Sequence, residues 1–188
     1  MTPSRYRELR TAVNEAGYEH DIDWAQTVEA PATPVDFAGE VIWVILCSGM
    51  TEQVARIIQH RVWATIRAGK PVKGNVLGKS GKAAAIDTIW RDLDELFLAF
   101  QMANDKVEFA RSLPWIGIVT KWHIAKNLGV DCAKPDIHLE RVASHYQTTP
   151  DALCAVLAAA TCDRVATVDV VIWRACNLGI VNSRELKK

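Results

Sequence analysis

Several things are scarce in this sequence, and each scarcity closes off a class of protein. Its most strongly apolar run, "VIWVILC" (Val41–Cys47), is far short of the roughly 20 residues a membrane span needs, so no membrane partner is expected. Met1 leads into the charged "TPSRYRELR", which is not the pattern of a secretory leader. The five cysteines (Cys47, Cys132, Cys154, Cys162, Cys176) are odd in number and never form CxxC. That argues for reduced thiols in a cytoplasmic protein and against a structural zinc or iron–sulfur site. No stretch alternates apolar and polar residues with period two for long enough to build a sheet, and "VATVDVVIW" is the one ambiguous run. There is no phosphate loop either. "GNVLGKS" imitates one, but three residues separate Gly74 from Gly78 where four are required, and no apolar strand precedes it.

Excess charge is missing too, with 22 basic residues against 22 acidic ones. The distribution is uneven, however. Ala12 to Glu52 holds eight acids and no Lys or Arg, whereas Gln53 to Ile86 holds seven bases and no acid. Such segregation can build a basic face on a neutral molecule, and a basic face attracts polyanions.

What is present is helix signal almost throughout. The apolar share of 49% over 188 residues suffices for one sizeable core, or for two small lobes around a cleft. Ser4 can cap a first helix that ends before Gly17, and Asp36 can cap a second through Ser48. Thr51 opens a third, in which Val54, Ile57, Ile58, Val62 and Ile66 recur at helical spacing. A Gly/Lys-rich loop follows, then a helical stretch from Ala83 to Ala103 that should break near Asp92–Asp94. Shorter helices are expected at about 105–111, 117–128, 136–146, 149–159 and 163–178. The expected class is all-α, two small helical lobes around a cleft, with 1–188 as a single helical domain.

Two short stretches carry the chemistry. In "FARSLPWIGIVTKWHIAKNLG", Pro114 stops a helix, Gly117 supplies the conformational freedom for a tight turn, and a new helix begins. Exposed N–H groups at that start form a ready anion site, of the kind that holds DNA phosphates without reading bases. After a bridge from Val130 to Lys134 comes "PDIHLERV". Pro135 stiffens the approach to Asp136, and the start of the next helix favours an ionised carboxylate there by typically 0.3–1 kcal/mol. Asp136 is therefore either a helix cap or a charged, rigidly held reagent.

This order resembles the helix-hairpin-helix base-excision DNA glycosylase superfamily. Leu113, Pro114, Ile116, Gly117 and Thr120 match its hairpin, and Asp136, His138, Leu139 and Arg141 match its "D-x-H-h-x-R" helix start, so that 113–142 forms a hairpin-plus-aspartate module. The likeness covers roughly residues 36 to 180, including "VIWVILCSGMTEQVA" upstream and "RVATVDVVIWRACNLG" downstream. It implies an enzyme that extrudes a modified base from double-stranded DNA and breaks the base–sugar bond, with Asp136 as the catalytic carboxylate. That residue type suits a transition state with positive charge on the sugar. It also implies DNA-backbone contacts from Pro114, Trp115, Ile116, Gly117, Val119 and Thr120. Lys73, Lys79, Lys82 and Lys134 are the basic side chains expected to join them. A monomer associated with the nucleoid is expected. No cofactor is, beyond a monovalent cation that the resemblance allows at the hairpin.

Departures from the family pattern refine the expectation. Bifunctional members carry a lysine nucleophile two residues after the last hairpin glycine, but here that residue is Val119, which offers no amine. Lys121, about 200° round the helix, should face elsewhere. A water-using, monofunctional mechanism follows. Val119 and His123, one turn apart, are candidates for the base pocket along with Trp43. Gly49 stands where many members insert a glutamine into the gap left by the base, and Trp115 replaces the hairpin's first glycine. Most of the seven tryptophans belong in cores. Trp24, Trp43 or Trp122 could stack on an extruded base. His138 and Arg141 suit helix-stabilising or phosphate contacts. Two other readings stay open. One is a viral-type enzyme on the same scaffold that couples an amine to pyrophosphorylated 5-hydroxymethyluracil in DNA. The other is a DNA-binding module without catalysis.

Overall fold

The computed structural model describes residues 1–78 and 80–186, and they are helical with no strand among them. The chain forms two compact units. Unit 1 joins residues 1–29 to 129–188, and unit 2 is the continuous stretch 30–128. The hairpin and Asp136 therefore belong to different units, and the 113–142 module divides at Leu128/Gly129.

Unit 2 is built round α3 (Pro34–Cys47), which buries Phe37, Ala38, Val41, Ile42, Val44, Ile45 and Leu46. Packed on it are α4 (Glu52–Arg67), α5 (Gly81–Arg91), α6 (Leu93–Met102) and α8 (Thr120–Asn127), with α7 (Lys106–Ser112) paired to α8. The cap of α3 is Thr33 rather than the expected Asp36. Thr33 Oγ1 accepts from the Asp36 N–H, and its hydroxyl donates to the Asp36 carboxylate at 2.7 Å. Pro34 at the first helical position makes the earlier start the better one, because its missing N–H costs nothing there. Thr51 caps α4 as anticipated, and the chain breaks between α5 and α6 at Asp92. Phe37 lies fully buried beside Phe97, Phe100 and Phe109, with ring centroids 5.5 to 6.2 Å apart. Truncating such a ring to Ala typically costs 3–5 kcal/mol. Asn127 Nδ2 in this unit donates to Glu40 Oε2 at 2.8 Å, while buried Asn127 Oδ1 finds no partner among the described residues. Burial pushes the Glu40 carboxyl above its ordinary pKa; the Asn127 hydrogen bond opposes this and nearby Asp36 adds to it.

Unit 1 is built round α11 (Val165–Asn177), whose residues from Ala166 to Ile172 are all buried. This is the run that read ambiguously. A helix covered on nearly every side has no polar face, so its sequence shows no 3.6-residue period. Around it pack α1 (Pro3–Val13), α2 (Glu19–Thr27) and α10 (Pro150–Thr161), together with α9 (Ile137–His145). Thr2, not Ser4, caps α1, again because proline occupies the first helical position. Gly17, at φ 87°, turns the chain into α2. Buried Arg174 is neutralised by Asp21, whose Oδ2 lies 2.7 Å from Nε, and its guanidinium lies over the rings of Tyr18 and Trp173. Fully buried Tyr6 donates to Asp163 at 2.8 Å.

Candidate functional site

The hairpin occupies the stretch from Leu113 to Val119 between α7 and α8. Leu113 and Ile116 are its buried anchors, and the Ile116 N–H donates to the Leu113 carbonyl at 3.2 Å. That amide closes the turn, so it is spent before any phosphate arrives. No side chain caps the start of α8, where Gly117, Ile118 and Val119 are exposed. The Lys121 and Trp122 N–H groups are taken by the Gly117 and Val119 carbonyls at 3.0 and 3.3 Å, so the amides left for an anion are those of residues 118–120. The left-handed residue of the turn is not Gly117, as expected, but Trp115, at φ 70°. For a residue with a Cβ this conformation costs about 1–2 kcal/mol.

Contacts of the indole show what holds Trp115 there. Its Nε1–H donates to Ser48 Oγ at 3.3 Å, and its benzo ring lies against Gly81. A Cβ on Gly81 would come within 2.4 Å of that ring, so this position admits only glycine without rearrangement. Three separate segments thus meet at the hairpin: the α3–α4 turn, the start of α5 and the turn itself. Neither Ser48 nor Gly81 stood out in the sequence. The one available signal was a glycine at the first position of a helix already capped by Ser80.

Lys82 is engaged rather than open. Its ammonium donates to the Leu46 and Ser48 carbonyls, the former at 3.4 Å, at the end of α3. A cation there completes carbonyls that the helix leaves unpaired. Burial lowers the Lys82 pKa, with the neighbouring Cys47 acting the other way. Lys73 is exposed on a loop pinned by Asp87, whose two carboxylate oxygens accept from the Val72 and Lys73 N–H groups at 2.6 and 3.0 Å. The Gly74 N–H donates to the Gly78 carbonyl at 2.7 Å, which folds the loop on itself. Lys79 lies outside the described residues.

Of the base-pocket candidates, all in unit 2, Trp43 is half-buried beneath the Arg56 guanidinium, 5.3 Å from the ring centroid. Gly49 turns the chain between α3 and α4 at φ 76° with open space where a Cβ would be. His123 is half-buried on α8, and Val119 is exposed. Thr120 and Pro114 are half-buried too. Lys121 points at Glu108, with which it forms an ion pair, and is 9% exposed.

Asp136 is the N-cap of α9. Its Oδ1 accepts from the His138 and Leu139 N–H groups at 2.9 and 3.1 Å, and Oδ2 takes no hydrogen bond from the described residues. The approach is tied down in unit 1. The Lys134 N–H donates to buried Asp169, Asp131 accepts from the Ala166 N–H, and Arg164 donates to the Gly129 carbonyl at 2.9 Å. Residues 129–135 therefore form a bridge anchored on α11. Beyond Asp136, His138 Nδ1 lies 2.8 Å from Ser183 Oγ, beside an open recess of about 420 Å³ that Cys176, Val181 and Arg184 also line. Burial first, and then the Asp136 charge, raise the Cys176 thiol to about 11. It stays protonated at neutral pH. Arg141 is half-buried on α9.

No family model, curated protein or solved structure matches the chain.

Proposed function

We propose that this protein is a monofunctional DNA N-glycosylase that extrudes a modified base and cleaves its bond to the sugar. The observation that carries the reading is Asp136: a half-buried carboxylate fixed at a helix start by two main-chain donors on one oxygen, with no hydrogen bond from the described residues on the other. The resemblance of the hairpin and of the segment that follows it to the helix-hairpin-helix glycosylases supports the same role. In this mechanism the C1′–N bond breaks as the electron pair leaves with the base. The resulting cationic sugar is stabilised by the Asp136 carboxylate. Water adds to C1′, losing its proton to Asp136 and on to the departing base, so that atoms and charge balance. The DNA backbone is held by the uncapped amides at the start of α8 and by exposed basic side chains such as Lys73, all within unit 2. No amine attack is assigned, because Val119 occupies the nucleophile position and Lys121 is paired with Glu108.

A cap is also what a non-catalytic DNA-binding module would need at Asp136, so that reading keeps a specific observation in its favour. Mass spectrometry of duplexes bearing alkylated, oxidised or deaminated bases, incubated with the protein, separates the two. Free base with an intact abasic strand is the expected product. Intact DNA on every substrate would leave only the binding module. On a duplex bearing pyrophosphorylated 5-hydroxymethyluracil and with an amine supplied, loss of pyrophosphate together with gain of the amine would identify the amine-coupling enzyme instead.

A further inference from the structure

Trp115 is held in a way that its own backbone does not favour. A residue with a Cβ sits left-handed at φ 70°, a conformation stored mainly where the surroundings enforce it and frequently at functional sites. What enforces it is the indole, clamped between the Ser48 hydroxyl and the bare backbone of Gly81. Yet this clamp does not bury the ring: 49% of the residue stays accessible, next to Ile118 at 68% and Val119 at 43%. A core tryptophan would be covered, and a merely tolerated surface tryptophan would not be fixed on two sides. An aromatic surface that is rigid, accessible and adjacent to uncapped helix amides suits a flat apolar group attached to an anion. That is the description of a nucleotide with its base unpaired.

We infer that Trp115 is a stacking platform for an unpaired nucleobase, so that single-stranded or locally opened DNA is preferred to intact duplex. This rests on the nucleic-acid reading above and is independent of base excision. The indole takes the face of one base while the amides at the start of α8 take the adjoining phosphate. Stacking on an aromatic is indifferent to sequence, because every base has a π-face. The preference is therefore for unpaired structure and not for a particular base. Ser48 and Gly81 act as positioning residues, fixing the plane on which the base lands.

Fluorescence anisotropy with labelled oligo-dT of about 15 nucleotides, and with a blunt duplex of equal length, tests the assignment at one salt concentration. Trp115→Ala should weaken oligo-dT binding by about 5- to 150-fold and duplex binding by much less. Trp115→Phe should restore part of the loss, since it keeps a ring to stack on while giving up the Ser48 clamp. Trp115→Gly removes the ring while relaxing the left-handed turn, so the same loss with an unchanged melting temperature shows that the turn has not simply collapsed. Equal weakening on both DNAs, a Phe variant as poor as Ala, or no oligo-dT binding by the wild type would each overturn the inference. The glycosylase reading fails separately. Oligo-dT binding that depends on Trp115, without base release, sinks excision and supports the platform. Base release without any single-strand preference does the reverse.

Discussion

The cap that Asp136 provides and the catalytic role proposed for it can be measured separately. As a cap, its Oδ1 serves the His138 and Leu139 amides at 2.9 and 3.1 Å. Losing both bonds in Asp136→Ala should cost about 1 kcal/mol (range roughly 0.5–2). For a protein of this size that lowers Tm by about 2–4 °C per kcal/mol. Asp136→Asn keeps an equivalent acceptor and loses only the charge at the helix start, worth about 0.3–1 kcal/mol, so its Tm should lie between wild type and Ala. Folding cannot account for lost turnover in either variant, because a change of this size leaves a protein with about 5–15 kcal/mol of stability almost wholly folded. As a reagent, the carboxylate should be worth about 10²- to 10⁴-fold in rate, and Asn should lose that in full. The assay is single-turnover base release alongside thermal melts for Asn, Ser and Ala. Serine is the sharpest variant, a good cap with no carboxylate. Turnover that follows Tm down the series, or wild-type turnover in Asn, would refute the catalytic role and leave Asp136 a cap.

Three further outcomes are expected. Lys82→Ala should lower Tm, because the Leu46 and Ser48 carbonyls lose their cation, while the salt dependence of DNA affinity stays as in wild type; Lys73→Ala should make that slope shallower by about 0.9 with Tm unchanged, and the reverse pattern would exchange their roles. Borohydride should trap no enzyme–DNA adduct, and a trapped species mapping to Lys121 by peptide mass would show that its pairing with Glu108 breaks on DNA. Glu40→Gln should raise Tm near pH 8 and lose that advantage at about pH 4. The folded pKa of Glu40 is raised above the ordinary 4.5, so its destabilising effect is present above the folded pKa and vanishes once both states are protonated. Melts at the two pH values check the sign, and a variant less stable at pH 8 would refute it.

Residues near one another in the chain announced much of this molecule. Thr51 capping α4, the break at Asp92, the turn at Leu113–Val119 and Asp136 opening α9 all follow from caps, prolines and glycines acting within a few positions. Where two local signals competed, the nearer proline decided. Thr2 and Thr33 cap their helices instead of Ser4 and Asp36 because Pro3 and Pro34 are better placed at the first helical position.

The rest depended on residues far apart in sequence. That the first 29 residues pack with residues 129–186 around α11 cannot be read from any window, since helical periodicity says which face is apolar and not what covers it. The left-handed bend at Trp115 was assigned to Gly117 because glycine is the usual occupant; the indole's hold on Ser48 and Gly81, 67 and 34 positions earlier, reversed that preference. Lys82 counts in the sequence as a cation for DNA and is claimed in the fold by the end of α3, and Lys121, expected only to face elsewhere, is claimed by Glu108. The sequence alone determined the helices, their order and the place of the one carboxylate worth testing, because those are short-range matters of backbone and cap. Only tertiary structure decided which cations are claimed by carbonyls and carboxylates and that the Trp115 indole is held yet exposed, because a side chain's partner is whatever the packed chain brings within reach.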